Sequence, residues 1–334
     1  MDLSRHDSQV SFTSDPITSF LAIETSNPTQ ASIRDVTQFF ELENIGIKDE
    51  PNTKDDDIAL EHFYKTLKFR DQRYYVSFPW NEYPPAIPTN YGLAKGRLNS
   101  LLKNLRDKPE LLKNYHHQIM LNLQLGIIEQ VPDDELYNST SHYIPHHGVI
   151  QEEKLRIVYD ASAKTHGNPS LNECIHRGPL LLENLCGLLM EFRFHPIVIL
   201  ADIERAFLEL GLNEEDRNYV RFLWINEDNS IVAFRFKRVP FGVIASPFLL
   251  NAVVKTHIEK SSSPITSKLK DKWYVDNLIT ESSNEKEALE IYKHAKKIFH
   301  DASMNLRHWT SNSKQFCSQL NEEDRFPSSN NIYI

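Results

Sequence analysis

The stretch that most restricts the fold is Pro196-Ile197-Val198-Ile199-Leu200-Ala201-Asp202. A continuous apolar run rich in β-branched residues reads as a strand buried in the middle of a sheet. It ends abruptly in an acid, and Ile203-Glu204-Arg205-Ala206-Phe207 turns into a short helix. Asp202 then has two readings. It is the N-cap of that helix, or it is a carboxylate set at the end of a core strand to hold a metal.

The second informative stretch is Trp273-Tyr274-Val275-Asp276-Asn277-Leu278-Ile279. Two short apolar strands flank a polar pair. Asp276-Asn277 is the expected two-residue turn, because Asp and Asn tolerate the positive φ of hairpin turns. Alone, such a turn is ordinary. Between the two stretches, residues 219–225 and 231–237 read as a hairpin. A loop with Gly242 follows, then a helix over 248–258. After them come an amphipathic helix over 284–300 and a last strand over 305–310. The order strand, helix, hairpin, helix, hairpin, helix, strand predicts an α+β fold built on a ferredoxin-like split βαβ antiparallel sheet with helices on one face. Adjacent central strands would bring Asp202 and Asp276 to one site. Two carboxylates there can hold two Mg²⁺ or Mn²⁺ ions that activate a primer hydroxyl and stabilise a leaving pyrophosphate.

Upstream, residues 1–32 are rich in Ser, Thr, Asp, Asn and Pro and read as a poorly ordered lead-in. Residues 33–90 read as an N-terminal extension with helices over 33–44 and 58–67, the second capped by Asp55-Asp56-Asp57, and a hairpin over 68–79. Prolines 79, 84, 85 and 88 mark the expected boundary with the main body. Residues 91–195 contain helices over 91–105, 109–125 and 180–192. Lys95, Arg97, Lys103 and Arg106 make the first of these basic. It is either a phosphate-neutralising surface or a solvated helix face. Residues 142–150 and 154–160 read as a second hairpin. His142, His146 and His147 suit strand-edge positions better than a metal site, since Pro145 interrupts them and no Cys is near. Lys154 and Arg156 lie two residues apart on one strand face, as a polyphosphate clamp or a common surface pattern. Residues 196–310 form the catalytic-type core, and 311–334 read as a tail.

Charge is unevenly spread. Residues 1–60 carry 12 acids and 4 bases, so -8 of the net -9 lies there, and the body is near neutral. A basic groove for nucleic acid is therefore compatible with an acidic chain. Three cysteines without metal-ligand spacing suit a reducing, intracellular setting, cytoplasmic or nuclear. No apolar run is long enough for a membrane span, and the N-terminus lacks the apolar segment of a signal peptide.

Five motifs in this order carry a resemblance: Leu-Arg-Ile-Val-Tyr-Asp-Ala-Ser (155–162), Leu-Ala-Asp-Ile-Glu-Arg-Ala-Phe (200–207), Val-Pro-Phe-Gly-Val-Ile-Ala-Ser-Pro (239–247), Tyr-Val-Asp-Asn (274–277) and Asn-Leu-Arg-His-Trp (305–309). They resemble a reverse transcriptase, and most closely that of Pao/BEL-type LTR retrotransposon polyproteins. Residues 39–46 and 55–57 resemble the region between protease and polymerase in that family. The resemblance implies right-hand polymerase fingers (91–195) and palm (196–310). It implies RNA-directed DNA polymerase activity on an RNA or DNA primer–template with dNTPs, and Mg²⁺ or Mn²⁺ on Asp202 and Asp276. It implies Phe207 under the deoxyribose, Arg156 on the triphosphate (with Lys154 beside it on the strand pattern), Phe241 and Gly242 lining the nucleotide pocket, and Trp309 in the primer-grip region. Lys95, Arg97, Lys103 and Arg106 would face the primer–template. The family has two adjacent acids at the hairpin tip, and here the second is Asn277. Where the family has Lys, this chain has His308. The expectation is a polymerase weakened by Asn277, or a polymerase-like nucleic-acid-binding remnant, with the thumb, RNase H and integrase of the polyprotein absent.

Overall fold

A computed structural model of the chain describes residues 53–136, 140–151, 154–226 and 228–327. The expected lead-in and the helix over 33–44 lie outside the described residues.

In chain order the elements are α1 (Thr53–Thr66), the hairpin β1 (Lys68–Arg70) and β2 (Arg73–Val76), α2 (Tyr91–Leu105), α3 (Pro109–Gln124) and β3 (Ile128–Gln130). Next come the hairpin β4 (His146–Gln151) and β5 (Lys154–Tyr159), α4 (Leu185–Phe194), β6 (Ile197–Ile203), β7 (Gly211–Leu212) and α5 (Glu214–Arg217). The chain continues through β8 (Arg221–Ile225), β9 (Ile231–Phe236), α6 (Ser246–Lys260), α7 (Thr266–Leu269), β10 (Trp273–Tyr274) and β11 (Asn277–Ser282). It finishes with α8 (Glu285–His300), β12 (Leu306–Ser311) and α9 (Lys314–Gln319). The protein is thus a mixed α+β fold.

The central sheet has the order β10-β11-β6-β12, and every pairing in it is antiparallel. β6 is the apolar run, and its Val198, Ile199, Ala201 and Ile203 are buried, as a strand with neighbours on both sides requires. Helix α8 explains itself in sequence terms. Asn284 accepts from the Glu287 amide as its N-cap, and Ala288, Ile291, Tyr292, Ala295, Ile298 and Phe299 form the buried stripe. The connecting helices α6 and α8 touch, since the His257 ring bonds the Ile298 carbonyl at 2.6 Å. A second sheet, β3-β9-β8, packs beside α3, where the Tyr115 ring stacks on Trp224 at 4.7 Å.

The proline stretch does not separate an extension from the body. β2 pairs in parallel with β7, Tyr75 against Gly211. The backbone N–H of Phe78 and the indole of Trp80 both donate to Asp216, which burial pushes up to about 6. Phe63 of α1 meets Phe248 of α6 edge-on at 5.9 Å. The apolar residues of this segment (Phe63, Tyr74, Val76, Phe78) need burial, and only the body supplies it.

Residues after 311 are not a mere tail either. Helix α9 is capped by Ser313, and the buried Asp324 receives the Tyr292 hydroxyl at 2.6 Å and Lys296 at 2.5 Å. Arg325 bridges alongside Trp309 at the free edge of β12. Two of the three histidines of the β4 region are buried rather than at a strand edge, while His147 is exposed on β4. His146 is buried between the Tyr115 hydroxyl and the Leu223 carbonyl, and burial lowers its pKa to about 4. His142 bonds the Pro88 carbonyl.

Candidate active site at the end of β6

Register places the site. On β11, Asn277 pairs with Asp202, and on the other side of β6, Arg307 of β12 pairs with Asp202. The Asp276 carbonyl accepts from the Ile203 N–H at 3.0 Å, which fixes the hairpin tip against the end of β6. Asp276 and Asp202 are therefore brought together. Burial first, and the neighbouring Asp202 charge in addition, push the Asp276 carboxyl above its ordinary range. The Asn277 side-chain amide donates to the Asp276 carboxylate at 3.0 Å.

The hairpin differs from the expected turn in one respect. The turn residues are Val275-Asp276, and Asn277 already opens β11. Among these, the positive φ falls on Val275, at 58°. A β-branched residue is a poor occupant of that region, so the tip is strained. Arg205 (φ 56°), Ala206 (φ 35°) and His308 (φ 53°) share this departure, all of them close to the ends of β6 or β12.

Sequence reasoning missed the partners of Asp202. A bulge between Arg307 and Thr310 breaks the alternation of β12. Because of it, Arg307 and His308 both face β6. The Arg307 guanidinium lies 3.4 Å from Asp202 and 3.2 Å from Glu204, and the His308 ring lies 2.8 Å from Asp202. Glu204 is held below the usual carboxylate range by a hydrogen bond from Asn305, with Arg307 adding to it. Trp309, expected at the primer, is 1% exposed, with its indole donating to the Leu306 carbonyl and its ring edge-on to Tyr292. It is a core residue, and Arg307 and His308 are the ones that reach the site. The clue available in sequence was the polar pair Arg307-His308, which a regular strand would have pointed to opposite faces.

The expected nucleotide pocket comes together in part. Phe207 and Phe241 meet edge-on with centroids 4.8 Å apart. Gly242 (φ 92°) packs on the end of β5, where an added Cβ would lie 2.3 Å from the Tyr159 carbonyl oxygen. Asn172 holds the same loop by donating to the Gly242 carbonyl and accepting from the Ile244 N–H. Arg156 and Lys154 are both exposed on one face of β5, three and five residues along the strand from that contact. Of the basic helix residues, Lys95, Lys103 and Arg106 fall within one sector of roughly 80° at 100° per residue. Arg97 lies on another side and pairs with Asp160 at 2.5 Å.

The donor set suits one hard dication. Asp202 and Asp276 offer carboxylate oxygens, and Asp276, raised chiefly by burial, also feels the Asp202 charge. No group of three or more acidic, His or Cys ligands gathers among the described residues, so the site offers two carboxylates and an amide. No helix among the described residues is long and apolar enough to cross a membrane. The chain matches no protein-family model and no curated protein.

Proposed function

We propose that the protein is the reverse-transcriptase domain of a Pao/BEL-type LTR retrotransposon, an RNA-directed DNA polymerase weakened by Asn277. Its setting is intracellular, cytoplasmic or nuclear. In this reading residues 91–195 act as fingers and 196–310 as palm. The observation that carries it is the register of β11 on β6, which brings Asp202 and Asp276 to one strand end.

Each residue has a derivable task. Asp202 and Asp276 would hold Mg²⁺ or Mn²⁺, which would acidify a primer 3′-hydroxyl and neutralise the departing pyrophosphate. Phe207, braced by Phe241, forms the wall against which a deoxyribose rests, and its bulk excludes a 2′-hydroxyl. Gly242 lets the pocket loop lie flat on the Tyr159 carbonyl, which keeps the floor next to the strand carrying Arg156 and Lys154. Those two exposed cations suit the triphosphate of a dNTP. Lys95, Lys103 and Arg106 provide a sequence-independent phosphate surface for an RNA or DNA template.

A second reading, a polymerase fold that binds primer–template without catalysis, is favoured by Asn277 and by the occupation of Asp202 by Arg307 and His308. Nucleotide binding separates the two. The polymerase reading expects dNTP affinity to rise in Mg²⁺ relative to chelator. It expects Asp202→Ala to remove that rise, and Arg156→Ala to weaken binding by roughly tenfold, the scale of one charge-assisted contact. A dNTP affinity indifferent to Mg²⁺ in the parent protein would leave the binding-only reading.

A further inference from the structure

Asp202 is not a free carboxylate. Arg307 stands directly across from it in the β6–β12 register and also touches Glu204, and the bulge at His308 adds a second nitrogen to the same carboxylate. A dication approaching Asp202 meets a resident cation. The Arg307 side chain is about one-third exposed, so the guanidinium is anchored but has solvent to turn into. A part-exposed pair of this kind is weak and readily exchanged. Guanidinium also suits a phosphodiester, since its planar fork matches phosphate oxygens. Trp309 next to it is buried and cannot take that role, and Phe326, which lies against His308, carries no charge.

The geometry points to Arg307 as a substrate-operated latch on the metal site. In the free protein Arg307 holds Asp202 and Glu204. When a primer–template duplex docks, a backbone phosphate takes the guanidinium, and the Asp202 Oδ2 that it held is freed for a divalent cation while His308 stays on Oδ1. Duplex and metal then bind with positive coupling, and by linkage each must strengthen the other by the same factor. The idea rests on the polymerase reading, because it needs both a metal and a duplex at this site. It differs from that reading in assigning Arg307 a positioning task in metal entry.

The test uses Mn²⁺ and an RNA–DNA primer–template with the full chain. Mn²⁺ binding to the free protein is read by electron paramagnetic resonance, and duplex affinity by fluorescence anisotropy at constant ionic strength, with and without Mn²⁺. The parent protein should bind duplex at least about fivefold more tightly in Mn²⁺, the lower end of ordinary coupling. Asp202→Ala should show no such gain. Arg307→Gln should bind Mn²⁺ more tightly than the parent in the absence of duplex and should lose the coupling. Arg307→Lys, which keeps the charge and guards against a packing defect, should retain it in part. If Arg307→Gln is folded and leaves both Mn²⁺ affinity and coupling at parent values, the latch is wrong while the polymerase reading stands. If neither the parent nor any variant binds Mn²⁺, or none binds duplex, the polymerase reading fails and the latch with it.

Discussion

Gly242→Ala is expected to destabilise the protein by about 3 kcal/mol or more, enough to unfold a domain of ordinary stability in part. Two independent costs add. A non-glycine residue at φ 92° carries strain of roughly 1–3 kcal/mol. The new Cβ would also stand 2.3 Å from the Tyr159 carbonyl oxygen, a backbone atom at the end of β5 that cannot turn away. Relief requires the loop to lift, and lifting it breaks the bonds from Asn172 to Gly242 and Ile244. The same movement would part Phe241 from Phe207. Denaturant unfolding checks this, and a loss below about 1 kcal/mol would mean the loop is softer than its contacts imply.

Arg221→Met is expected to cost about 3–5 kcal/mol, the range for removing one member of a buried charged network. Arg221 is fully buried and ties three segments together. Its guanidinium donates to the Asn218 side chain at 2.8 Å, to the Glu135 carbonyl at 3.0 Å and to the Tyr143 hydroxyl at 3.3 Å. Methionine fills the volume but removes the donor from the Glu135 carbonyl and the Tyr143 hydroxyl, and leaves the Asn218 oxygen only Arg235 at 2.7 Å. Arg97→Ala is the natural comparison. Its pair with Asp160 is nearly half exposed on the arginine side, so its loss should cost under about 1 kcal/mol. Equal thermal shifts for the two variants would contradict the assignment of Arg221 as the structural hub.

The extent to which the fold was legible follows from where the signals lie. Elements with strong periodicity and clear punctuation, such as α8 with its Asn284 cap or the β1–β2 hairpin with Asp71 and Gln72 both at positive φ, were readable because local chemistry decides them. The antiparallel order of the central sheet was readable from the sequence of elements. The supposed boundary at the prolines was not, because extended proline-rich backbone is compatible with a linker or with a strap over the core. Only the partners of Phe78 and Trp80, residues far along the chain, decide between these. The same limit applies to α9 and Asp324, whose polar sequence gives no hint that Tyr292 and Lys296 await it.

At the site, the pairing of Asp202 with Asp276 was anticipated from strand order, whereas the counter-ions were not. A bulge is set by the fit of a whole strand against its neighbour, and a single residue in left-handed conformation, here His308, is enough to bring two adjacent side chains to one face. Trp309 was misplaced by the same slip, since regular alternation from Arg307 would have put it on the site face. The strain at Val275 was equally invisible, as valine gives no turn signal and the two residues after it do.

The most direct test of the central claim, that Asp202 and Asp276 form one polymerase centre limited by Asn277, is primer extension on an RNA template in Mn²⁺. The proteins compared are the parent, Asn277→Asp and Asn277→Asp combined with Asp202→Ala. Restoring a third carboxylate next to Asp276 should strengthen metal binding, and extension is expected to rise by at least about tenfold over the parent. Adding Asp202→Ala should abolish it. Extension that Asn277→Asp does not raise, in a protein that is folded and binds the duplex, or that survives loss of Asp202, would contradict the account.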